Sequence, residues 1–147
     1  MTERTIRGLL QPTNNNVFRS VTIASFALNW AAAGAHPLVF HLVNLLLHTA
    51  VVVVLYLVLR SLLDSVPNAS TIAFAAALLF AVHPIHTEAV ASIVGRSELL
   101  AAGFLLAAWL LHLNDKVIAA LLCFLLALLS KESAVAFVPL GGLRFLP

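Results

Sequence analysis

The feature that most constrains this chain is the stretch from Pro37 to Leu59, which holds no formally charged residue and ends at Arg60. These roughly 23 residues form a helix long enough to cross a bilayer, at about 1.5 Å of rise per residue. Only 10% of all residues are charged and 62% are hydrophobic. Soluble domains carry about 25% charged residues. The sequence therefore predicts an integral membrane protein.

Further apolar stretches predict an all-α membrane fold, a polytopic helical bundle with about four or five spans. Residues 1–16 form a polar N-terminal segment, and 17–147 form the transmembrane domain. Between Val17 and Gly34, apolar and polar residues alternate in a way that favours an interfacial helix, with Trp30 at headgroup depth. Spans are predicted near residues 37–60, 70–86, 98–113, 117–130 and 134–147.

The stretches near 98–113 and 117–130 are short for an average bilayer. With their uncharged flanks each reaches about 17 residues, or roughly 25 Å, close to the thinner core of the endoplasmic reticulum membrane. Two true spans are the favoured interpretation. A pair of re-entrant or buried helices is the alternative.

Three polar residues share one face of the first span. His41, Asn44 and His48 are spaced by three and then four residues, so all three lie on the same side of a helix. Polar groups are costly at membrane depth, and we expect this face to meet other helices or water. Hydrogen bonds between helices and the lining of a ligand path are the two interpretations.

The densest polar stretch begins with His83 and Pro84. Proline disfavours helical geometry in the residue before it, so the helix is predicted to stop or bend at His83. His86 and Glu88 then lie at the membrane interface. Two histidines and a glutamate could bind a metal, but their spacing matches no established zinc site and no metal site is predicted. The two remaining interpretations of this stretch are a capped interfacial loop and a functional polar site.

Two cations are predicted to gather at that same membrane face. Arg96 follows the polar stretch, and Lys131 is separated from it by two predicted spans. Cations held between helices at one face suit an anionic lipid headgroup, which makes this pair the candidate phosphate ligands. The alternative is that Lys131 snorkels to the interface or pairs with Glu132 or Glu98.

Charge and cysteine content exclude other classes. The formal net charge is only +2, so nothing favours nucleic-acid binding. The single cysteine, Cys123, lies in an apolar run and is interpreted as a small core residue.

Three stretches resemble one known family. They are HPIHTEAVA at 83–91 with VGR at 94–96, the pair FALN at 26–29 and HLVNLLLH at 41–48, and LLSKE at 128–132. In this order and spacing they resemble the transmembrane and tetratricopeptide-repeat-containing O-mannosyltransferases, over roughly Val17 to Leu140. One departure is Phe18-Arg19-Ser20, which stands where the family tends to have Y-R-P.

The resemblance implies a partial GT-C-like membrane domain in the endoplasmic reticulum membrane, with the tetratricopeptide-repeat region absent from this chain. It implies dolichyl-phosphate-mannose as donor substrate, and Ser or Thr of secretory-pathway or cell-surface proteins, cadherins among them, as acceptors. Neither a cofactor nor a divalent metal is expected. The implied motif site comprises His83, His86, Glu88 and Glu132, facing the lumen with Lys131 and Arg96.

The catalytic base is unknown from this sequence. In GT-C enzymes it lies in the first luminal loop, and we expect this chain to begin after that loop. Glu88 is a weak alternative carboxylate. We therefore interpret the chain as a fragment whose activity alone is doubtful.

Two non-enzymatic classes are alternatives. A transport or channel subunit would use His41, His48, His86 and Glu88 as an ion path. A structural subunit would bind partner helices through the small residues Ala75, Ala76 and Ala77.

Overall fold

The computed structural model describes residues 19–135, and every described regular element is helical. The predicted polar segment 1–16 and nearly all of the predicted span near 134–147 lie outside these residues. The elements are α1 (Ser20–Ala33), α2 (Pro37–Leu62), α3 (Ala69–Val82), a 3-10 turn (Pro84–His86), α4 (Thr87–Ala91), α5 (Arg96–Leu113) and α6 (Val117–Ser130). The predicted all-α membrane fold is confirmed.

The longest helix occupies the centre of the bundle. Helix α2 packs against α3 on one side and α5 on the other, and α6 packs on α5. Pro37 is the first residue of α2, where its missing N–H costs no helical hydrogen bond. Helix α1 is short and contacts α2, α5 and α6. It therefore joins the ends of three helices at one face of the bundle.

Within residues 19–135, two helices, α2 and α5, are each long and apolar enough to cross a membrane. A third span exists if α3 is counted together with the Pro84–Ala91 segment, which is bent from it by 50°. The predicted stop at His83 is confirmed, since α3 ends at Val82. Helix α6 is apolar but has only 14 residues, about 21 Å at 1.5 Å per residue.

Small residues line the helix contacts. Ala73 and Ala77 of α3 are buried, four residues apart and therefore on one face. Of the predicted small-residue face Ala75–Ala77, Ala77 is buried within the bundle, whereas Ala75 and Ala76 are exposed. The binding of partner helices by this face stays a prediction. Three consecutive residues on a helix point in three directions. Small side chains at spacing four allow helices to approach closely in a membrane.

Gly95 is required by a close approach between two backbones. A Cβ at this position would stand 2.7 Å from the carbonyl carbon of Ala89, closer than side-chain atoms approach backbone in folded proteins. The glycine lets the chain turn from α4 directly into α5. It thereby sets the start of α5, where Arg96 follows.

We predict that Gly95→Ala destabilises the protein by about 1–3 kcal/mol, because the added methyl overlaps backbone atoms that cannot move aside cheaply. The matched control is Gly103→Ala in α5, whose Cβ would lie 3.5 Å from Val51 Cγ2, an ordinary contact. Thermal unfolding of the purified protein in lipid nanodiscs measures both. Equal melting temperatures for the two variants would contradict the prediction.

Candidate functional site

Arg96 is fully buried at the first position of α5, with 0% of its surface exposed. Its Nε–H donates to Asn44 Oδ1 at 2.9 Å, and its Nη2 donates to Asn29 Oδ1 at 3.0 Å and to the Phe40 carbonyl at 3.1 Å. Nη1 donates to the Ser25 carbonyl at 3.4 Å. One guanidinium therefore connects α1, α2 and α5.

Aromatic rings close the Arg96 site above the guanidinium plane. Its Cζ lies 4.6 Å from the centroid of Phe26 and 5.4 Å from that of Phe40. A cation over an aromatic face is attracted by the ring quadrupole, most strongly where water is excluded. All four acceptors of Arg96 are neutral oxygens. The charge is thus stabilised by oriented dipoles and rings.

Asn44 extends this arrangement to the loop before α5. It is fully buried, and while its Oδ1 accepts from Arg96, its Nδ2 donates to the Ser92 carbonyl at 2.9 Å. Asn29 is also buried, and its Oδ1 accepts a hydrogen bond from Arg96. The asparagines of the FALN and HLVN stretches and the arginine of VGR therefore meet in one site. Asn29 belongs to the FALN stretch, but its role could not be predicted from the sequence because its partner Arg96 is 67 residues away.

The structure does not bring Arg96 and Lys131 together as paired cations. Arg96 is buried among α1, α2 and α5, whereas Lys131 follows α6 and pairs with Glu98. A headgroup phosphate reaching Arg96 would have to displace several neutral acceptors. The geometry gives Arg96 a positioning role and leaves Lys131 as the accessible cation of the two.

A second set of contacts fastens α1 to the end of α6. Arg19 donates to both carboxylate oxygens of Glu132, from Nη2 at 2.9 Å and from Nε at 3.3 Å. Thr22 Oγ1 donates to the Ser130 carbonyl at 3.0 Å, a buried bond. The Arg19 hydrogen bond lowers the pKa of Glu132, and the same bond raises the pKa of Arg19.

An apolar groove runs beside α5 between the two ends of the helix. Its volume is about 690 Å³, and α2, α3, α5 and α6 all contribute to its wall. Glu98 and Ser133 line it at one end, and His112 lies at the other end of α5. The Lys131 ammonium pairs with the Glu98 carboxylate at the first of these ends. We call this end the groove mouth.

Three histidines cluster at the bend after α3. The ring of His86 lies 5.4 Å from that of His48 and 6.1 Å from that of His83, measured between centroids, and 4.1 Å from Phe80. His48 is buried with its Nε2 3.2 Å from the Ala81 carbonyl, so this nitrogen carries the hydrogen. Through His48, the cluster holds α2 in contact with the bend after α3.

Two predicted site residues lie apart from these clusters. Glu88 is exposed on α4, and His41 is exposed on α2 although Asn44 and His48 of the same face are buried. His41 is three residues before Asn44, near the beginning of α2. Within residues 19–135, no three His, Cys, Asp or Glu side chains are arranged to hold a metal ion.

These features define the class of the protein. It is a helical membrane protein whose spans are joined at one face by a buried arginine, beside an apolar groove with an ion pair at its mouth. The chain is similar to proteins that carry a functional name, and the similarity extends over most of its length.

The chain is 39% identical over 137 residues to a protein O-mannosyl-transferase of Caenorhabditis elegans, covering 92% of this chain and 20% of that protein. It is 39% identical over 142 residues to the protein O-mannosyl-transferase Tmtc1 of Drosophila melanogaster, covering 92% and 16%. It is 43% identical over 99 residues to the protein O-mannosyl-transferase TMTC3 of Homo sapiens, covering 67% and 10%. No family model and no solved structure matches.

The resemblance seen in the sequence is confirmed: the chain is homologous to a segment of the protein O-mannosyl-transferases. It spans a fifth or less of the length of these three relatives.

We predict that Arg96→Met destabilises the fold by about 3–5 kcal/mol, because it leaves the buried oxygens of Asn29, Asn44 and Phe40 without donors. Arg96→Lys should be nearly as damaging, since an ammonium cannot reach acceptors spread around a planar guanidinium. Arg60→Met, which removes an exposed cation, is the control. Thermal unfolding in nanodiscs is the measurement. A wild-type melting temperature for Arg96→Met would contradict the site.

Acid should loosen α1 from α6. Because the folded-state pKa of Glu132 is below its ordinary value of 4.5, the pair with Arg19 stabilises the fold above that value. This stabilisation is lost as pH falls through the lowered folded-state pKa. Spin labels at Leu28→Cys and Leu125→Cys, with Cys123→Ala, report the distance between the two helices. The distribution of distances between the two labels should broaden in acid. A Glu132→Gln protein should show the same broadening already at pH 7.

Proposed function

We propose that this chain forms part of a dolichyl-phosphate-mannose-dependent protein O-mannosyltransferase of the endoplasmic reticulum membrane. The acceptors would be Ser or Thr hydroxyls of secretory-pathway or cell-surface proteins, cadherins among them. The names of its relatives support the class of reaction. The single observation in the structure that carries the proposal is the apolar groove with the Lys131 ammonium at its mouth.

The shape and lining of the groove suit a lipid tail. Its wall is formed by aliphatic and aromatic side chains of α2, α3, α5 and α6, with Glu98, His112 and Ser133 as the polar exceptions. From Glu98 to His112 the wall extends about 21 Å at 1.5 Å of rise per residue. A polyprenyl chain can pack along such a wall by van der Waals contact, in place of the acyl chains of the bilayer. Its phosphate would then lie at the groove mouth.

Lys131 would stabilise the leaving group. During transfer the acceptor oxygen forms a bond to C1 of mannose, and the bond between C1 and the phosphate oxygen breaks with its electron pair going to the phosphate. Negative charge on the phosphate therefore grows, and an ammonium placed beside it favours the transition state. Lys131 provides three N–H donors at the end of α6, where the chain is already extended.

The remaining residues position this cation. Arg96 fixes the start of α5, and therefore the backbone of Glu98, against α1 and α2. Arg19 and Thr22 fix the end of α6, and therefore the backbone of Lys131. The proposal requires no cofactor and no divalent metal, because the ammonium supplies the positive charge. The proton of the acceptor hydroxyl would go to a carboxylate, for which Glu88 is the weak candidate among residues 19–135.

We predict that Lys131→Ala lowers both donor binding and turnover, with about 10²–10³-fold lower kcat if the ammonium acts on the leaving group. Lys131→Arg should restore binding more than rate, because a planar fork replaces a compact charge. The assay follows mannose transfer from dolichyl-phosphate-mannose to a Ser/Thr peptide, using the longest form of the protein that its cells express, in proteoliposomes.

The control for lost charge is Lys116→Ala, an exposed cation at the opposite end of α6. It should behave as wild type. If folded Lys131→Ala also binds and transfers as wild type does, Lys131 is not part of the donor site.

A further inference from the structure

The cation at the groove mouth is already occupied by a carboxylate of the protein itself. Glu98 lies in the first turn of α5, lines the groove and pairs with Lys131. Glu132 follows Lys131 in sequence, but its two oxygens both accept from Arg19. These four charges therefore form two separate neutral pairs. An anionic headgroup that binds Lys131 competes with Glu98 for its charge.

We propose that Glu98 is a displaceable counter-ion that reserves Lys131 for lipids whose headgroup carries net negative charge and helps to expel the phosphate product. This inference rests on the proposed function, because it assigns a regulation to the same lipid-phosphate site. It makes Glu98 a specificity-determining residue. It assigns Glu98 no part in bond breaking.

The structure makes Glu98 movable while its surroundings stay fixed. Its side chain is 52% exposed, against 21% for Lys131. Arg96, two residues earlier, is fully buried and fixes the helix start. Partly exposed ion pairs contribute little net free energy, so a competing anion displaces one partner easily. Rotation of the Glu98 side chain would free the ammonium from its partner without movement of the α5 backbone.

Lipids have to be selected by their headgroup at the groove mouth. Any acyl or prenyl chain can bury itself in such a groove, so the wall alone cannot reject the abundant lipids of the bilayer. A prenol without phosphate offers nothing to replace the carboxylate on Lys131. A zwitterionic lipid offers a phosphate that is balanced by its own cation. Only a headgroup with net negative charge compensates for the lost ion pair.

Product release poses the opposite problem. The donor carries a phosphodiester with one negative charge, whereas the product is a phosphomonoester whose second ionisation lies near pH 6. Lys131 alone would therefore hold the product more tightly than the donor. Glu98 competes from a tethered position, where effective concentrations reach the millimolar range or above. Its return to Lys131 would favour departure of the product.

The Glu98→Gln variant tests the counter-ion role of Glu98 independently of the proposed function. The longest expressed form of the protein is reconstituted in phosphatidylcholine nanodiscs, and binding of dolichyl phosphate and of uncharged dolichol is measured by native mass spectrometry. The variant should bind dolichyl phosphate about three- to fivefold more tightly, the loss of one partly exposed ion pair, and dolichol unchanged. In transfer assays both KM and kcat should fall, with stronger inhibition by dolichyl phosphate.

The matched control is Asp64→Asn, which removes an exposed carboxylate in the turn after α2. Its affinity for dolichyl phosphate should remain that of wild type, which excludes a general effect of net charge. If Lys131→Ala weakens dolichyl phosphate binding while Glu98→Gln leaves it unchanged, the counter-ion role is wrong and the phosphate site stands. If neither substitution alters binding, both proposals are wrong.

Discussion

A buried guanidinium is the interaction on which the rest of this structure depends. Arg96 has no surface exposed, and its four acceptors are the side chains of Asn29 and Asn44 and the carbonyls of Ser25 and Phe40. An uncompensated charge at this depth would be prohibitive, so all of these groups must be in place at once. That requirement fixes α1 and α2 against the start of α5.

The site at the groove mouth is a consequence of that fixed frame. Lys131 and Glu98 come from the ends of two helices that pack on each other, and Arg96 holds the start of α5 while Thr22 and Arg19 hold the end of α6. The frame therefore uses buried, fully bonded polar groups, while the pair that is proposed to meet the lipid is partly exposed and adjustable. Rigid support around one mobile ion pair suits a site that must bind and release a charged lipid.

Much of the helical plan was predictable because the constraints are local. The uncharged run from Pro37 predicts α2, and Pro84 predicts the end of α3, since both depend on residues within one or two turns. Burial of Asn44 and His48 also follows from spacing. The exposure of His41 did not follow, because spacing along one helix does not tell how far the neighbouring helices extend over its face. The burial of Ala73 and Ala77 within the bundle likewise depends on which helix packs against α3.

By itself the sequence determined that this protein is helical, belongs in a membrane and resembles the protein O-mannosyl-transferases, because hydropathy and motif order do not depend on contacts. Only the tertiary structure decided how the two expected phosphate ligands are placed. Arg96 and Lys131 have the same formal charge and the same predicted membrane face. Arg96 is buried among neutral oxygens, whereas Lys131 pairs with an exposed carboxylate and stays accessible. The partners that set this difference are 52 to 71 positions from Arg96 and 33 positions from Lys131, so only the folded chain brings them together.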